Sequence, residues 1–243
     1  MTASPPRVLL LQIRDQELPE LQERDCFVHF SGLPRERFAF WNLVERPEIT
    51  GDDCSAFAAV IVGGAGAHSV TDEHPFTAPL GRLVRELTAA DRPLFGSCFG
   101  HQFIAQALGG RVVTDAARSE IGTFDVELTE DGAADPWLAG LPRCFAAQLG
   151  HHDRVVDLPP GAIELARSER CPNQAFRLGA TRVYGAQFHV ELDPARMIER
   201  AGAYREDYLP DPEALERLRR SLRPSPEAST LLRRFLALAG IAD

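Results

Sequence analysis

One stretch near the middle of the chain constrains its fold more than any other. Leu94 and Phe95 form an apolar run behind Pro93, which predicts a buried strand, and Gln102–Leu108 has the apolar spacing of a helix. Cys98 lies between them, with Gly96 and Gly100 two residues to either side. This order predicts a sharp turn in which the glycines relieve crowding and the central side chain stands clear of the sheet.

Cys98 is therefore the candidate nucleophile. The N-terminus of the following helix carries partial positive charge, which favours the thiolate over the thiol. The alternative is a buried cysteine in a glycine-rich turn. The two glycines, the strand and the helix together favour the nucleophile.

The rest of the first half alternates strands with helices. We predict strands at Arg7–Ile13, Phe38–Val44 and Phe57–Val62, with helices at Leu18–Phe30 and Phe76–Ala90. Such alternation is typical of a doubly wound α/β fold with a mainly parallel sheet. Beyond the middle of the chain the segments become shorter, which predicts a mixed or antiparallel extension of the same sheet. The strands predicted there are Thr123–Leu128, Arg143–Gln148, Ile163–Ser168, Gln174–Leu178 and Val183–His189.

The last part of the chain is highly charged and helical in pattern. One leucine stripe covers residues 215–222 and a second covers residues 231–238, with Pro224-Ser225-Pro226 between them. We predict one domain over residues 1–193 and a helical extension over residues 194–243 that packs on it. A surface that docks a partner protein is the alternative for these helices.

Composition and charge exclude several classes of function. The chain has 243 residues, a net charge of −9 and no arginine-rich run with interleaved aromatics, so we expect neither a nucleic-acid nor a membrane partner. All 26 basic residues are arginine, which excludes a Schiff-base lysine and a Walker-type phosphate lysine. The five cysteines have no paired spacing and the N-terminus lacks a secretory pattern, which predicts a cytoplasmic protein. We expect no cofactor.

A second group of reactive side chains lies near the end of the predicted sheet. His189 and Glu191 are two residues apart, so on a strand they project from the same face. Glu191 would then orient the imidazole, and His189 would take the proton of the Cys98 thiol. A metal site is the alternative, because residues 151–153 (His-His-Asp) are also possible ligands. No metal spacing motif is present, and we expect no metal.

The glycine-rich loop at residues 63–70 also follows a buried strand. The carboxyl ends of neighbouring strands line the ligand crevice in open α/β sheets, so this loop and Cys98 are expected at one edge. The N–H groups of Gly64 and Phe99 are the candidate donors to an oxyanion. A phosphate cradle is the alternative, which the missing lysine disfavours.

Three motifs in this order resemble one known family. Residues 96–102 (Gly-Ser-Cys-Phe-Gly-His-Gln), the Gly-Gly loop before them and residues 187–191 (Gln-Phe-His-Val-Glu) are similar to class I glutamine amidotransferases of the Cys-His-Glu type. The resemblance covers about Val8 to Asp193. The chain looks most like the stand-alone, GMP-synthase-like members, which residues 120–122 and 172–176 also resemble. The resemblance implies a flavodoxin-like sheet.

The resemblance also implies roles, residue by residue. It implies that Cys98, His189 and Glu191 are catalytic. It implies that Gly64 and Phe99 form the oxyanion hole, and that Gln102, Gly66 and His151 bind the substrate. His151 stands in Gly-His-His-Asp where these relatives have Ser-His-Gly-Asp. The usual Gly-Gly-Pro reads Gly63-Gly64-Ala65, which frees one loop residue from the fixed φ of proline. The usual His-Pro-Glu reads His189-Val190-Glu191, and neither change removes a reacting group.

The function predicted on this basis is hydrolysis of the glutamine side-chain amide through a γ-glutamyl thioester on Cys98, with ammonia passed to an unidentified partner synthase. One alternative is a hydrolase that acts alone on γ-glutamyl peptides or amines. A cysteine-containing α/β-hydrolase is disfavoured, because those enzymes place the acid before the histidine. A catalytically silent regulatory partner protein is a further alternative. The retention of all three reacting residues argues against it.

Overall fold

A computed structural model describes residues 7–205, 209 and 211–241 of the chain. The strands are β1 (Arg7–Gln12), β2 (Phe38–Asn42), β3 (Phe57–Val62), β4 (Leu94–Ser97), β5 (Arg111–Thr114), β6 (Glu120–Leu128), β7 (Cys144–His151), β8 (Asp153–Asp157), β9 (Ala162–Ser168), β10 (Ala175–Leu178) and β11 (Val183–Ala186). The helices are α1 (Glu17–Ser31), α2 (Thr77–Ala89), α3 (Phe99–Ala107), α4 (Glu130–Ala134), α5 (Pro194–Ala203), α6 (Ala214–Ser221) and α7 (Leu231–Leu238).

Within these residues, nine strands form one sheet in the order β2-β1-β3-β4-β11-β10-β9-β6-β7. The first five strands are parallel and have the order typical of flavodoxin-like folds, whereas β10, β9, β6 and β7 continue as antiparallel neighbours. The predicted doubly wound fold with an antiparallel extension is confirmed. Strands β5 and β8 form a separate antiparallel ladder.

Strand β1 shows why the parallel strands of the sheet have continuous apolar sequences. Val8 and Leu10 belong to one hydrophobic core, whereas Leu9 and Leu11 belong to the other. Residues of α1 and α7 complete the first core, and residues of α2 and α3 complete the second. A strand with an apolar layer on each face is apolar at nearly every position between its ends.

The C-terminal helices share this core. The side chain of Asp193 caps the N-terminus of α5. In α7, the ring of Phe235 lies 5.1 Å from that of Phe95 on β4, and the indole N–H of Trp137 donates to the first carbonyl of the helix at 2.9 Å. Of the predicted extension, residues 206–208, 210 and 242–243 lie outside the described residues, as does the N-terminal stretch 1–6.

Two parts of the predicted pattern differ from the structure. The strand predicted at Val183–His189 ends at Ala186, because the N–H of His189 donates to the carbonyl of Gln148 on β7 at 2.9 Å. The prediction that His189 and Glu191 lie on a regular strand is therefore wrong. Helix α4 and strand β8 have no counterpart among the predicted elements. Among the described residues, no helix combines the length and the apolar character that crossing a bilayer requires.

Candidate active site

Cys98 lies at the turn between β4 and α3. Its φ of 51° and ψ of −101° are outside the regions that L-residues ordinarily adopt. A Cβ on Gly96 would lie 2.3 Å from the carbonyl carbon of Gly100, and a Cβ on Gly100 would lie 2.1 Å from the carbonyl oxygen of Val62. Both glycines are thus required by close backbone packing, which holds the strained cysteine above the edge of the sheet.

His189 reaches Cys98 from the segment that follows β11. Its Nδ1 lies 2.7 Å from Glu191 Oε1, and the ring is hydrogen-bonded to Cys98 on its other side. All three residues are buried, and Glu191 is fully enclosed. The structure therefore brings the three predicted catalytic residues together in the order thiol, imidazole, carboxylate, which we call the Cys98–His189–Glu191 triad.

The electrostatics of the triad favour an ion pair. Burial alone would lower the pKa of His189, but attraction to Glu191 and Cys98 outweighs burial and raises that pKa from 6.5 to about 9. Burial alone would raise the pKa of Glu191, but His189 outweighs burial and lowers that pKa to about 2. An imidazolium beside the sulfur at neutral pH stabilises the thiolate, which is the nucleophilic form.

Two buried side chains that the sequence analysis did not assign a role also hold the triad. Ser97 Oγ donates to Glu191 Oε2 at 2.9 Å, so both carboxylate oxygens are fixed. Gln187 Nε2 donates to Cys98 Sγ at 3.7 Å, and Gln187 Oε1 accepts from Gln102 Nε2 at 3.1 Å. The only sequence signal for Ser97 is a polar residue inside an otherwise apolar buried strand.

The two predicted oxyanion donors differ in their partners. Phe99 is the first residue of α3, so its N–H has no acceptor within the helix. The N–H of Gly64 instead donates to Glu23 Oε1 at 3.1 Å. Glu23 is fully buried on α1 and also accepts from Arg14 at 2.6 Å. An oxyanion must therefore compete with the Glu23 carboxylate for the Gly64 donor.

The three predicted substrate-binding residues line one cavity beside Cys98. Its volume is about 290 Å³. Gln102 Nε2 donates to the carbonyl of Asp153 at 2.7 Å. The imidazole of His151 lies 3.0 Å from both this carbonyl and Glu120 Oε2, so it anchors the cavity wall. The lining residues are Ala65, Gly66, Ala67, His68, Ser69, Cys98, Phe99, Gln102, Thr114, Ala116, Gly150, His151, His152 and Asp153.

The metal alternative finds no support in the described part of the chain. Within it, no group of three or more His, Cys, Asp or Glu side chains is arranged to hold a metal ion. The imidazoles of His189 and His151 are instead each paired with a single glutamate, Glu191 and Glu120 respectively.

Comparison with known proteins identifies relatives of the chain. The family model of class I glutamine amidotransferases matches residues 41–199. The chain is 36% identical over 110 residues to a GMP synthase (glutamine-hydrolyzing) subunit of Methanopyrus kandleri, an alignment that covers 45% of this chain and 57% of that protein. It is 39% identical over 100 residues to the subunit of the same name from Pyrococcus abyssi, covering 41% of this chain and 51% of that protein. The alignments thus span about half the length of these curated relatives.

Solved structures resemble almost the whole chain. A glutamine amidotransferase from Thermotoga maritima superposes with a TM-score of 0.77 at 25% identity, covering 98% of this chain and all 100% of the other. A glutamine amidotransferase from Methylobacillus flagellatus superposes with a TM-score of 0.74 at 25% identity, covering 98% and 94%. The likeness extends through the C-terminal helices, of which the family model reaches only α5, as far as residue 199.

Proposed function

We propose that this chain, which belongs to the class I glutamine amidotransferase family, hydrolyses the side-chain amide of glutamine through a thioester on Cys98. The observation that carries the proposal is the Cys98–His189–Glu191 triad, which meets a cavity of about 290 Å³ at the sulfur. A cavity of this size suits an amino acid, because ligand sites of small molecules begin at about 300 Å³.

The first half of the reaction forms the thioester. The Cys98 thiolate attacks the amide carbon, and the carbonyl electron pair moves onto oxygen, where the N–H of Phe99 and, once freed from Glu23, the N–H of Gly64 donate to it. The His189 imidazolium then gives its proton to the amide nitrogen. The carbon–nitrogen bond breaks, and ammonia departs with that proton.

The second half releases glutamate. His189, now neutral, takes a proton from water, whose oxygen attacks the thioester carbon. Collapse of the second tetrahedral intermediate expels the Cys98 thiolate, and His189 is left protonated as at the start. Glu191 stabilises the imidazolium in both halves while Ser97 holds the second carboxylate oxygen.

A glutamine analogue with an electrophilic carbon in place of the amide tests this proposal. We expect mass spectrometry to find the label on Cys98, and glutamate release from glutamine to vanish in Cys98→Ala. Cys144 is exposed and serves as the matched control, because Cys144→Ala removes the accessible thiol and should leave labelling and activity unchanged. Near wild-type glutamate release by Cys98→Ala would exclude the mechanism.

We also propose that the ammonia passes to a separate synthase chain. The relatives from Methanopyrus kandleri and Pyrococcus abyssi are named as subunits of GMP synthase, which supports a division of the work between chains. Proteins captured with the tagged chain should be purified and added back to it. A true synthase partner raises the rate of glutamate release and consumes the ammonia, whereas a rate unaffected by every captured protein contradicts the transfer.

A further inference from the structure

A second, smaller pocket meets the larger cavity at Cys98. Its volume is about 30 Å³, against about 290 Å³ for the cavity that holds the predicted substrate-binding residues. One wall belongs to helix α5 and the residue after it. The residues that line the pocket are Arg14, Gly64, Ala65, Gly66, Cys98, Gly150, His189, Met197, Arg200, Ala201 and Tyr204.

The position of His189 decides which part of a substrate enters each pocket. Among the described residues, His189 lines the smaller pocket and is absent from the wall of the larger one. Because His189 protonates the departing nitrogen, that nitrogen must lie on the His189 side of the sulfur. The glutamyl part then occupies the larger cavity, and the leaving group faces α5.

Two side chains of the C-terminal extension form part of the wall of the smaller pocket. Tyr204 packs on Gly66, whose φ is +64°, so closely that a Cβ on Gly66 would lie 2.2 Å from the tyrosine ring. Met197 packs on Gly150, where a Cβ would lie 3.1 Å from the methionine methyl group. Both side chains are buried, so this wall is packed against the rest of the molecule.

We propose that this pocket is a leaving-group subsite sized for ammonia, so that the chain accepts the primary amide of glutamine and rejects γ-glutamyl amides of larger amines. The inference rests on the proposed glutamine hydrolysis and names its substrate class. A water-sized molecule needs at least about 10–15 Å³, so 30 Å³ holds ammonia with one water but excludes the rest of an amino acid. Met197 and Tyr204 are the specificity-determining residues.

The charged side chains around the subsite also suit ammonia as the leaving group. Arg14 and Arg200 line it, and Arg14 forms a buried salt bridge with Glu23 at 2.6 Å. The two terminal nitrogens of Arg200 are buried and have no hydrogen-bond partner there, although NH1 lies 3.9 Å from the Glu23 carboxylate. Guanidinium N–H groups donate to the lone pair of ammonia and repel ammonium. The buried Arg200 nitrogens are therefore available as donors to the departing ammonia.

A substrate series tests the subsite. Glutamine, γ-glutamylmethylamide and γ-glutamylglycine are compared by the kcat/KM of glutamate release at high enzyme concentration. For the wild type we expect the added methyl group to lower kcat/KM by about 10- to 200-fold, since one extra carbon in a pocket fitted to its ligand has an effect of this size. γ-Glutamylglycine should be used still more slowly.

Variants then locate the selectivity. Met197→Ala and Tyr204→Ala should raise the ratio of methylamide to glutamine kcat/KM by about tenfold or more. Tyr204→Phe keeps the ring and should keep the wild-type ratio. Leu218→Ala on α6 is the matched control, because it truncates a buried side chain of the same extension that does not line the pocket.

The possible outcomes distinguish a failure of the subsite proposal from a failure of the proposed function. Equal kcat/KM for glutamine and γ-glutamylglycine in the wild type would overturn the subsite while leaving Cys98 chemistry in place. So would Met197→Ala and Tyr204→Ala if they change all three substrates alike. Absence of glutamate release from every substrate would overturn glutamine hydrolysis itself, and the subsite with it.

Discussion

Replacing Glu191 with glutamine measures what the triad carboxylate contributes. The rise in the pKa of His189 from 6.5 to about 9 corresponds to about 3 kcal/mol of net stabilisation of the imidazolium. The Coulomb attraction to Glu191 is the largest single contribution to that rise, and it acts against the burial of the ring. Because 1.4 kcal/mol is a factor of ten in rate, we expect kcat/KM for Glu191→Gln at neutral pH to fall on the order of 10²-fold.

The pH dependence of kcat/KM shows in which direction Glu191 changes the pKa of His189. In the wild type the proton stays on His189 up to about pH 9, so activity should decline only above that value. Without the carboxylate, burial acts unopposed by Glu191 and the imidazolium loses its proton at lower pH. The alkaline limb of the kcat/KM profile for glutamate release should therefore move to lower pH in Glu191→Gln.

A second buried pair in the same molecule supplies the matched control. Glu120 is fully buried and its Oε2 lies 3.0 Å from His151 Nε2, but it has no contact with the triad. Glu120→Gln should alter stability and KM while the alkaline limb stays near pH 9. An unmoved limb in Glu191→Gln, or an equal displacement in both variants, would refute the assignment of the His189 pKa to Glu191.

Three further predictions concern the residues around the nucleophile. Ser97→Ala frees one oxygen of Glu191, so kcat should fall by about 10- to 100-fold with KM unchanged, as a lost hydrogen bond to a charged group costs about 1.5–3 kcal/mol; an unchanged kcat would contradict this. Gly100→Ala forces a Cβ to 2.1 Å from the carbonyl of Val62 and should lower the free energy of unfolding by at least about 1–3 kcal/mol in urea, whereas Gly202→Ala, with open space around it, should not. The carboxylate of Glu191 contributes stability that is fully present above pH 4.5 and is lost as the pH falls toward about 2, so the wild type should lose more stability than Glu191→Gln over that window.

The parts of the site that the sequence revealed are those encoded locally. Gly96, Cys98 and Gly100 identify the strained turn because each residue type is needed at its own position in a strand–turn–helix segment. The pairing of His189 with Glu191 was also found, although the strand that was expected to carry it ends earlier. The two side chains meet at 2.7 Å although His189 forms only an isolated bridge with Gln148 and the backbone bends at Glu191.

The sequence by itself thus indicated most of the strands and helices, the candidate nucleophile and the family of the chain, because periodicity and turn chemistry are properties of neighbouring residues. Only the tertiary structure decided that Glu23 engages the Gly64 donor, that Ser97 fixes Glu191, and how much room is left beside Cys98. The first two contacts join residues 41 and 94 positions apart, and the third depends on a helix from the C-terminal extension. Contacts over such separations leave no periodic signal, since they are selected by packing across the whole core.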